Sequence, residues 1–449
     1  MSGAEILSLI GIIIGLAVLV VLVMKGINIY VVAFIASIIV AVFGRMNLYE
    51  ALKTDYMASF ASFVQNYWLI FLTGALMGKI YEITNGAKSI ARVIVKLFGK
   101  KYALVSIPIA CGILAYGGVS VYVVSFAVFP IALEVFHEAD LPRNYIPAAL
   151  CFGCSTFAMV APGAPQIQNA IPSSAVGEDL MAGMVVGFIS CGVILVVGCF
   201  ALMRMVAAQK AKGASFIAKP MDVFSDEDTK LPHPLVAFIP LIVTIILINV
   251  KINGQVICQL ETGVLAGSVL ALIMMWKYQD PSKLLGHVGD TCKSSLNAIC
   301  NTSAVVAFGG VVKLAPAFAA VVNAMLNIPG PKILSLAIAT TVLAGICGSA
   351  SGGCGIASPL LGPAFVNMGI PAGVVARTIS ISSAALDSLP HNGYIVTVCN
   401  GLCNETHKDC YKPVFVVTVL VPFIGTLVAV ALFSICLLYT SPSPRDKRQ

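Results

Sequence analysis

Residues 161–172 read APGAPQIQNAIP, placing two glutamines, an asparagine and three prolines between apolar runs. Proline breaks the hydrogen-bond ladder of a helix, and lipid offers nothing to the peptide groups it frees. In a membrane, side chains, water or a bound solute must satisfy such a break. Gln166, Gln168 and Asn169 bring donors and acceptors to it. The half-helix restarting after Pro162, Gly163, Ala164 and Pro165 presents amide N–H groups and a positive dipole end, which suit a carboxylate. A second stretch, ALDSLPHNGYIVT (385–397), repeats the arrangement. A helix of small residues stops at proline, and Asp387, His391 and Asn392 gather at the stop. Asp387 and His391, within one turn of each other, suit proton coupling. Ser120, in AYGGVS (115–120), and Ser349 and Ser351, in CGSASGGCG (347–355), would reach the same cavity from the other side. Hydroxyls, amides and helix N-termini together could bind an anionic, hydroxyl-bearing solute without a buried arginine.

The elements that position these groups are membrane helices. Of 449 residues, 59% are hydrophobic and only 10% charged, and the mean hydropathy is +0.96. A soluble chain of this length needs far more polar surface, so the expectation is a multi-pass, all-α membrane protein. Crossing segments are predicted at 5–24, 27–43, 67–83, 145–172, 181–203, 233–250, 258–276, 301–325, 371–398 and 413–436. The first is read as a retained span, because an acid, Glu5, precedes it rather than a basic region. Regions 102–136 and 333–368 are too long for one crossing and carry glycines at their middles, which predicts re-entrant hairpins; two ordinary spans packed on glycine are the alternative. The net charge of +7 resides in loops between spans, which sets membrane orientation and does not point to nucleic acid. The fourteen cysteines lie mostly in apolar runs and have no metal-ligand spacing, so no metal or cofactor is expected.

The chain looks duplicated. Gly99-Lys100-Lys101 precedes the first hairpin and Gly330-Pro331-Lys332 the second; Leu141-Pro142 leads into one broken helix and Ile370-Pro371 into the other. The domains expected are an N-terminal repeat (1–206), a cytoplasmic linker (207–232) and a C-terminal repeat (233–436). In 86–101, Lys88, Arg92 and Lys96 fall four apart, opposite Ile90, Ile94 and Leu97, as in a helix lying on the cytoplasmic surface. Its counterpart, 314–328, carries no basic residue and is placed outside. Five spans and a hairpin per half then make the repeats inverted, the architecture of secondary transporters with a midplane site. Among other ionisable residues at membrane depth, Glu134 and Arg377 are expected near interfaces as snorkelling groups or a structural salt bridge, and Lys313 is noted. His137, Asp140 and Arg143 read as a solvated loop.

At PGAPQIQNAIP, with FPIALEVFHEADLPRNYIP (129–147) and GAKSIARVIVKLFGKK (86–101), the sequence resembles the gluconate permease (GntP) family of organic-anion:proton symporters. The resemblance covers nearly the whole chain. It implies a bacterial inner membrane, inverted repeats with re-entrant hairpins as in the wider ion-transporter superfamily, and sugar acids or small hydroxy acids as substrates. Pro162, Gly163, Pro165, Gln166, Gln168 and Asn169 occupy the family motif. Residues 387–412 are more similar to the branch that includes β-hydroxybutyrate permeases, which favours a smaller hydroxy-monocarboxylate. Residues 437–449, with paired Ser-Pro and three basic residues, resemble translated vector sequence and are expected to be non-native. Sodium coupling or sodium/proton antiport on the same architecture stays open, as does a homodimer. An intramembrane hydrolase built on Ser351 and His391 is a remote alternative, a serine among glycines being weak evidence for a nucleophile.

Overall fold

The computed structural model describes residues 2–25, 27–99, 102–220, 222, 230–320, 330–390 and 392–440. The first half contains α1 (Gly3–Met24), α2 (Ile29–Phe43), α3 (Met57–Ile83, continuing the winding that starts at Leu48), α4 (Gly86–Phe98), α5 (Ala103–Tyr116), α6 (Val121–Glu138), α7 (Ile146–Ser155), α8 (Ile167–Ala175) and α9 (Met184–Lys210). The second contains α10 (Pro234–Asn249), α11 (Leu260–Met274), α12 (Leu284–Leu314), α13 (Lys332–Cys347), α14 (Ala350–Asn367), α15 (Ala372–Ser383), α16 (Gly393–Val396, extended by a wide turn to Leu402), α17 (His407–Phe415) and α18 (Val421–Thr440). A two-stranded hairpin, Lys251–Ile252 with Gln255–Val256, joins α10 to α11. Among the described residues, five continuous helical stretches are long and apolar enough to cross a membrane: Leu48–Ile83, Val121–Glu138, Met184–Lys210, Leu284–Leu314 and His407–Cys436.

Local chemistry sets the boundaries. Asn28 and Asn47 cap their helices by accepting from Tyr30 N and Tyr49 N, which satisfies otherwise orphaned amides. The spans predicted at 145–172 and 371–398 are each two pieces, α7 with α8 and α15 with α16, separated by irregular backbone at 156–166 and 384–390. Regions 102–136 and 333–368 are helix pairs, α5–α6 and α13–α14, whose tips turn at Gly118 (φ 96°) and Gly348 (φ 56°). The spans predicted at 67–83 and 301–325 begin earlier, at Leu48 and Leu284. The added turns of α12 carry His287, Asp290 and Lys293, which a search for apolar runs passes over.

α4 buries Ala87, Ile90, Ala91 and Ile94 against its neighbours, but Leu97 is 79% exposed, so packing stops a turn short of the helix end. Of the surface segment expected at 314–328, residues 321–329 lie outside the described residues; Ala317 N donates to Ser8 Oγ (3.2 Å), tying its start to α1.

Packing crosses between the halves reciprocally. α12 of the second half lies on α2 and α3, and α11 lies on α3. α3 and α12 run antiparallel: Gly310, near the end of α12, sits against Ser59, near the start of α3, and Phe71 shares a cluster with Ile299. α9 and α18 are also antiparallel. Val186 clusters with Val430 and Phe433 at one end, and Leu202 and Val206 with Val414 and Val417 at the other.

The loop at Arg143 is not solvated. Arg143 is 4% exposed. Its Nε donates to Asp222 Oδ2 (2.8 Å), its Nη2 reaches the other Asp222 oxygen, and its Nη1 donates to Cys403 O (2.8 Å) and Glu405 Oε1 (2.5 Å). Lys219 completes the web, 2.9 Å from Glu405 Oε2. The linker is thereby strapped to both halves. Burial favours the neutral form of Asp222, but bonds from Arg143 and the Lys219 amide outweigh it and hold its carboxyl below the usual range.

Candidate functional site

The first break departs from helix after Ser155 and is held from three directions. Gly163 adopts φ 80°, a left-handed backbone that glycine reaches without a Cβ clash. Its N–H donates to Leu180 O (2.9 Å) and its carbonyl accepts from Asn249 Nδ2 (2.9 Å). Tyr116, at the end of α5, donates its hydroxyl to Pro162 O (3.0 Å). Pro165 lies against Gly118 of the first hairpin tip, where an added Cβ would come within 2.9 Å of the ring. Gln166 Nε2 donates to Ala115 O (2.6 Å), so hairpin and break are one unit.

Arg377 lies at the heart of this break, not near an interface as expected. It projects from α15 of the other half and is 1% exposed. Nε donates to Ala182 O (2.9 Å), Nη1 to Val160 O (2.8 Å) and Asn169 Oδ1 (2.6 Å), and Nη2 to Leu180 O (2.7 Å). Asn169 Oδ1 also accepts from Ser380 Oγ (2.7 Å), and its Nδ2 donates to Ala161 O (2.7 Å) and Ala164 O (3.2 Å). The amide of Asn169 is therefore committed within the protein, its oxygen to the Arg377 and Ser380 side chains and its nitrogen to backbone carbonyls. The planar guanidinium suits this task, since its fixed fork can bind several carbonyls at once. Among the described residues Arg377 makes no ion pair; the nearby carboxylate of Asp179 is paired with Lys251, and the guanidinium charge is spread over carbonyl dipoles.

Gln168 is different. Half-buried, its side chain makes no hydrogen bond among the described residues, and its carbonyl lies 3.9 Å from Cys354 Sγ on α14. The capping position of α8, Gln166, gives no side-chain bond to the helix's first amides. An open amide and a helix N-terminus thus sit together beside the guanidinium, an arrangement that can receive a carboxylate.

The second break follows Ser383. Asp387 is 4% exposed; its Oδ1 accepts from Ser388 Oγ (2.7 Å), and the Ala350 amide at the start of α14 lies beside the carboxylate. Asn392 donates to Asp387 O (2.8 Å) and accepts from Ile395 N (3.0 Å), capping α16. Ser349 and Ser351 lie 2.9 Å apart at the second tip, and Ser349 Oγ accepts from Gly352 N (3.4 Å). Asp387 has no ion pair among the described residues, and His391 lies outside them. Ser120 precedes α6 and packs against Gly78 without a bond to the other candidates; the neighbouring Ser125 joins α6 to α16 through the Tyr394 hydroxyl (2.6 Å). Each tip touches its own break, α14 touches the first break and α6 reaches the helix after the second, closing a ring. Arg377, Ser380, Tyr116 and Asn249 complete that ring and were not among the residues expected to bind. An arginine three positions before a serine in the small-residue segment AGVVARTISISS (372–383) is the signal that could have pointed to two of them.

A ring of broken helices and hairpin tips inside an apolar helical body belongs to membrane transporters, and comparison of the fold agrees. The chain is similar to the crystal structure of the Alcanivorax borkumensis YdaH transporter, with a TM-score of 0.57 and 15% identity over 87% of this chain and 89% of that one. It is similar also to Neisseria gonorrhoeae MtrF, described as illuminating a class of antimetabolite efflux pumps, with a TM-score of 0.50 and 13% identity over 86% and 84% of the two chains. At these identities the likeness is one of fold. Residues 7–436 match the model of the GntP family permeases, and the chain belongs to that family. A relative from Bacillus subtilis (strain 168), the uncharacterized transporter YxjC, is 30% identical over 85% of this chain and 89% of its own length.

Proposed function

We propose that this permease imports a small organic anion with a proton across the bacterial inner membrane. The substrate is a gluconate-like sugar acid or a short hydroxy-monocarboxylate such as 3-hydroxybutyrate. The observation that carries the reading is the pair of buried charges that make no ion pair among the described residues, Arg377 at one break and Asp387 at the other. A carboxylate beside Gln168 and the open amides of α8 meets the break that holds Arg377. An anion bound in the ring adds a second negative charge to the site of Asp387, and like charges sharing a low-dielectric site favour protonation of its carboxyl. Anion and proton then enter as a neutral pair, which the low-dielectric interior tolerates better than either ion alone.

Inverted repeats with re-entrant hairpins supply the frame. The antiparallel run of α3 against α12 and of α9 against α18, which hold corresponding places in the two halves, supports a two-fold axis lying in the membrane plane. Such an axis puts the two ends of the site in equivalent settings, as alternating access requires.

The test is uptake of labelled gluconate and 3-hydroxybutyrate into proteoliposomes under an imposed pH gradient, challenged with glycerate, lactate and fructuronate. Asp387→Asn abolishes gradient-driven accumulation at least tenfold while retaining substrate counterflow. Accumulation at the wild-type level in Asp387→Asn, or uptake that collapses when choline replaces sodium, overturns the proton assignment.

A further inference from the structure

Two cavities flank the ring, and the mechanism above uses neither. The first, about 370 Å³, lies between the start of α3 and the end of α12, with Ile171 of α8 and Gly355 of α14 in its wall. Its polar lining is Ser59, Ser62, Asn66, Tyr67 and Lys313. The second, about 540 Å³, lies between the end of α3, the start of α4 and α6, and includes Glu82, Asn85, Lys88 and Tyr122. They are counterparts. The end of α12 with α14 encloses one as the end of α3 with α6 encloses the other, and a proline, Pro359 or Pro130, lines each. Because α3 and α12 are antiparallel, the two cavities sit at opposite ends of the molecule. The second adjoins α4, whose Ser89 donates to Pro232 O of the linker (2.7 Å), so in the proposed topology it faces the cytoplasm and the first faces outward.

Their chemistry differs where it matters. Lys313 stands in the outward cavity at the place Glu82 holds in the inward one. Glu82 is paired with Lys79 at 2.6 Å, whereas Lys313 has no ion pair or hydrogen bond among the described residues. Ser59, Ser62 and Asn66 recur at i, i+3 and i+7 and so share one face of α3, with Asn66 Nδ2 3.4 Å from Ser62 Oγ. At Gly310 an added Cβ would collide with Ser59 Oγ, and at Gly355 it would come within 2.7 Å of Val306, so these glycines allow the walls to approach as closely as they do. The inner wall belongs to the ring itself. Gly355 follows Cys354, which touches the Gln168 carbonyl, and Tyr67 reaches the Ser174 hydroxyl near the end of α8.

We infer that this cavity is an outward capture site for the carboxylate substrate, with Lys313 pairing the carboxylate and Ser59, Ser62 and Asn66 meeting its hydroxyl groups before it passes to the ring. The inference rests on the transport reading and its sidedness. A cation with an open ammonium, beside three hydrogen-bonding groups in a concave space, matches a small hydroxy acid in charge and polarity. Field from the unpaired lysine would also raise the local anion concentration at the entrance.

The test has two arms. In uptake assays normalised to protein, Lys313→Gln raises the gluconate KM about tenfold and leaves the maximal rate unchanged, and Lys313→Arg restores the KM. In a Cys436→Ser background, Ser62→Cys is labelled by an impermeant maleimide in right-side-out vesicles, and gluconate, but not neutral glucose, protects it. The labelling arm needs no turnover, so it reads capture even if gradient-driven transport fails. A wild-type protein that binds gluconate without accumulating it would sink the transport reading alone. A Lys313→Gln KM within twofold of wild type, labelling only from the cytoplasmic face, or absence of protection overturns the capture site.

Discussion

Arg377 offers a sharp test of how the site is built, because the conservative substitution should do more harm than the drastic one. In Arg377→Met the carbonyls of Val160 and Ala182 lose their donors, while Leu180 O keeps its bond from the Gly163 amide and Asn169 Oδ1 keeps its bond from Ser380. Two orphaned buried acceptors cost about 2–6 kcal/mol in gross terms. Removing a buried charge offsets part of this, for a net loss of about 1–3 kcal/mol. Arg377→Lys keeps the buried charge but replaces a fork with a single ammonium, which cannot reach carbonyls spread over 160, 180 and 182. It forfeits bonds and recovers no desolvation energy, so the expected order of stability is wild type, then Met, then Lys. Apparent unfolding temperature of detergent-purified protein, followed by tryptophan fluorescence, gives the ranking. Hydrogen exchange should show the loss concentrated in 156–183. A lysine variant as stable as wild type, or more stable than the methionine variant, would refute the claim that the guanidinium fork organises the break.

Two further outcomes follow from packing and charge. Asp222 has a depressed carboxyl pKa in the folded protein, so its stabilising contribution is fully present above the ordinary value of about 3.9 and fades as pH falls through the lower folded value. Asp222→Asn should therefore unfold below the wild-type temperature at pH 7, and thermal scans of the two proteins should converge on acidification below about pH 4; a gap independent of pH would contradict the strap. Gly198 of α9 leaves no room for a Cβ beside the Phe152 ring, so Gly198→Ala should destabilise by about 1–3 kcal/mol, with Phe152→Leu in the same chain recovering much of it in thermal unfolding.

The breaks were legible because proline and amides are costly in an apolar run, and the cost shows residue by residue. APGAPQIQNAIP and ALDSLPHNGYIVT marked the irregular backbone to within a few positions. What organises the first break was not legible, because Arg377 meets Asn169 across 208 positions of chain and nothing local reveals that meeting. Arg143 misled for the reverse reason. Its neighbours His137 and Asp140 are polar, so the loop read as solvated, while its partners Asp222 and Glu405 lie far along the sequence. The face Ser59, Ser62 and Asn66 is legible at helical spacing, but it precedes the apolar run that opens at residue 67, and hydropathy alone passes over those turns. Hydropathy locates apolar length; it does not say how far a helix continues beyond it.

The knot around Arg377 also limits how the molecule can move. An arm from the second half is tied by three bonds to backbone carbonyls of the first and a fourth to the Asn169 side chain, while α2, α3, α11 and α12 interlock outside it. Sliding one half past the other would have to cut those ties with no water at hand to replace them. A motion that spares those ties would have to divide the molecule across both halves, drawing each moving part from both ends of the chain, so that neither half could be borrowed without the other.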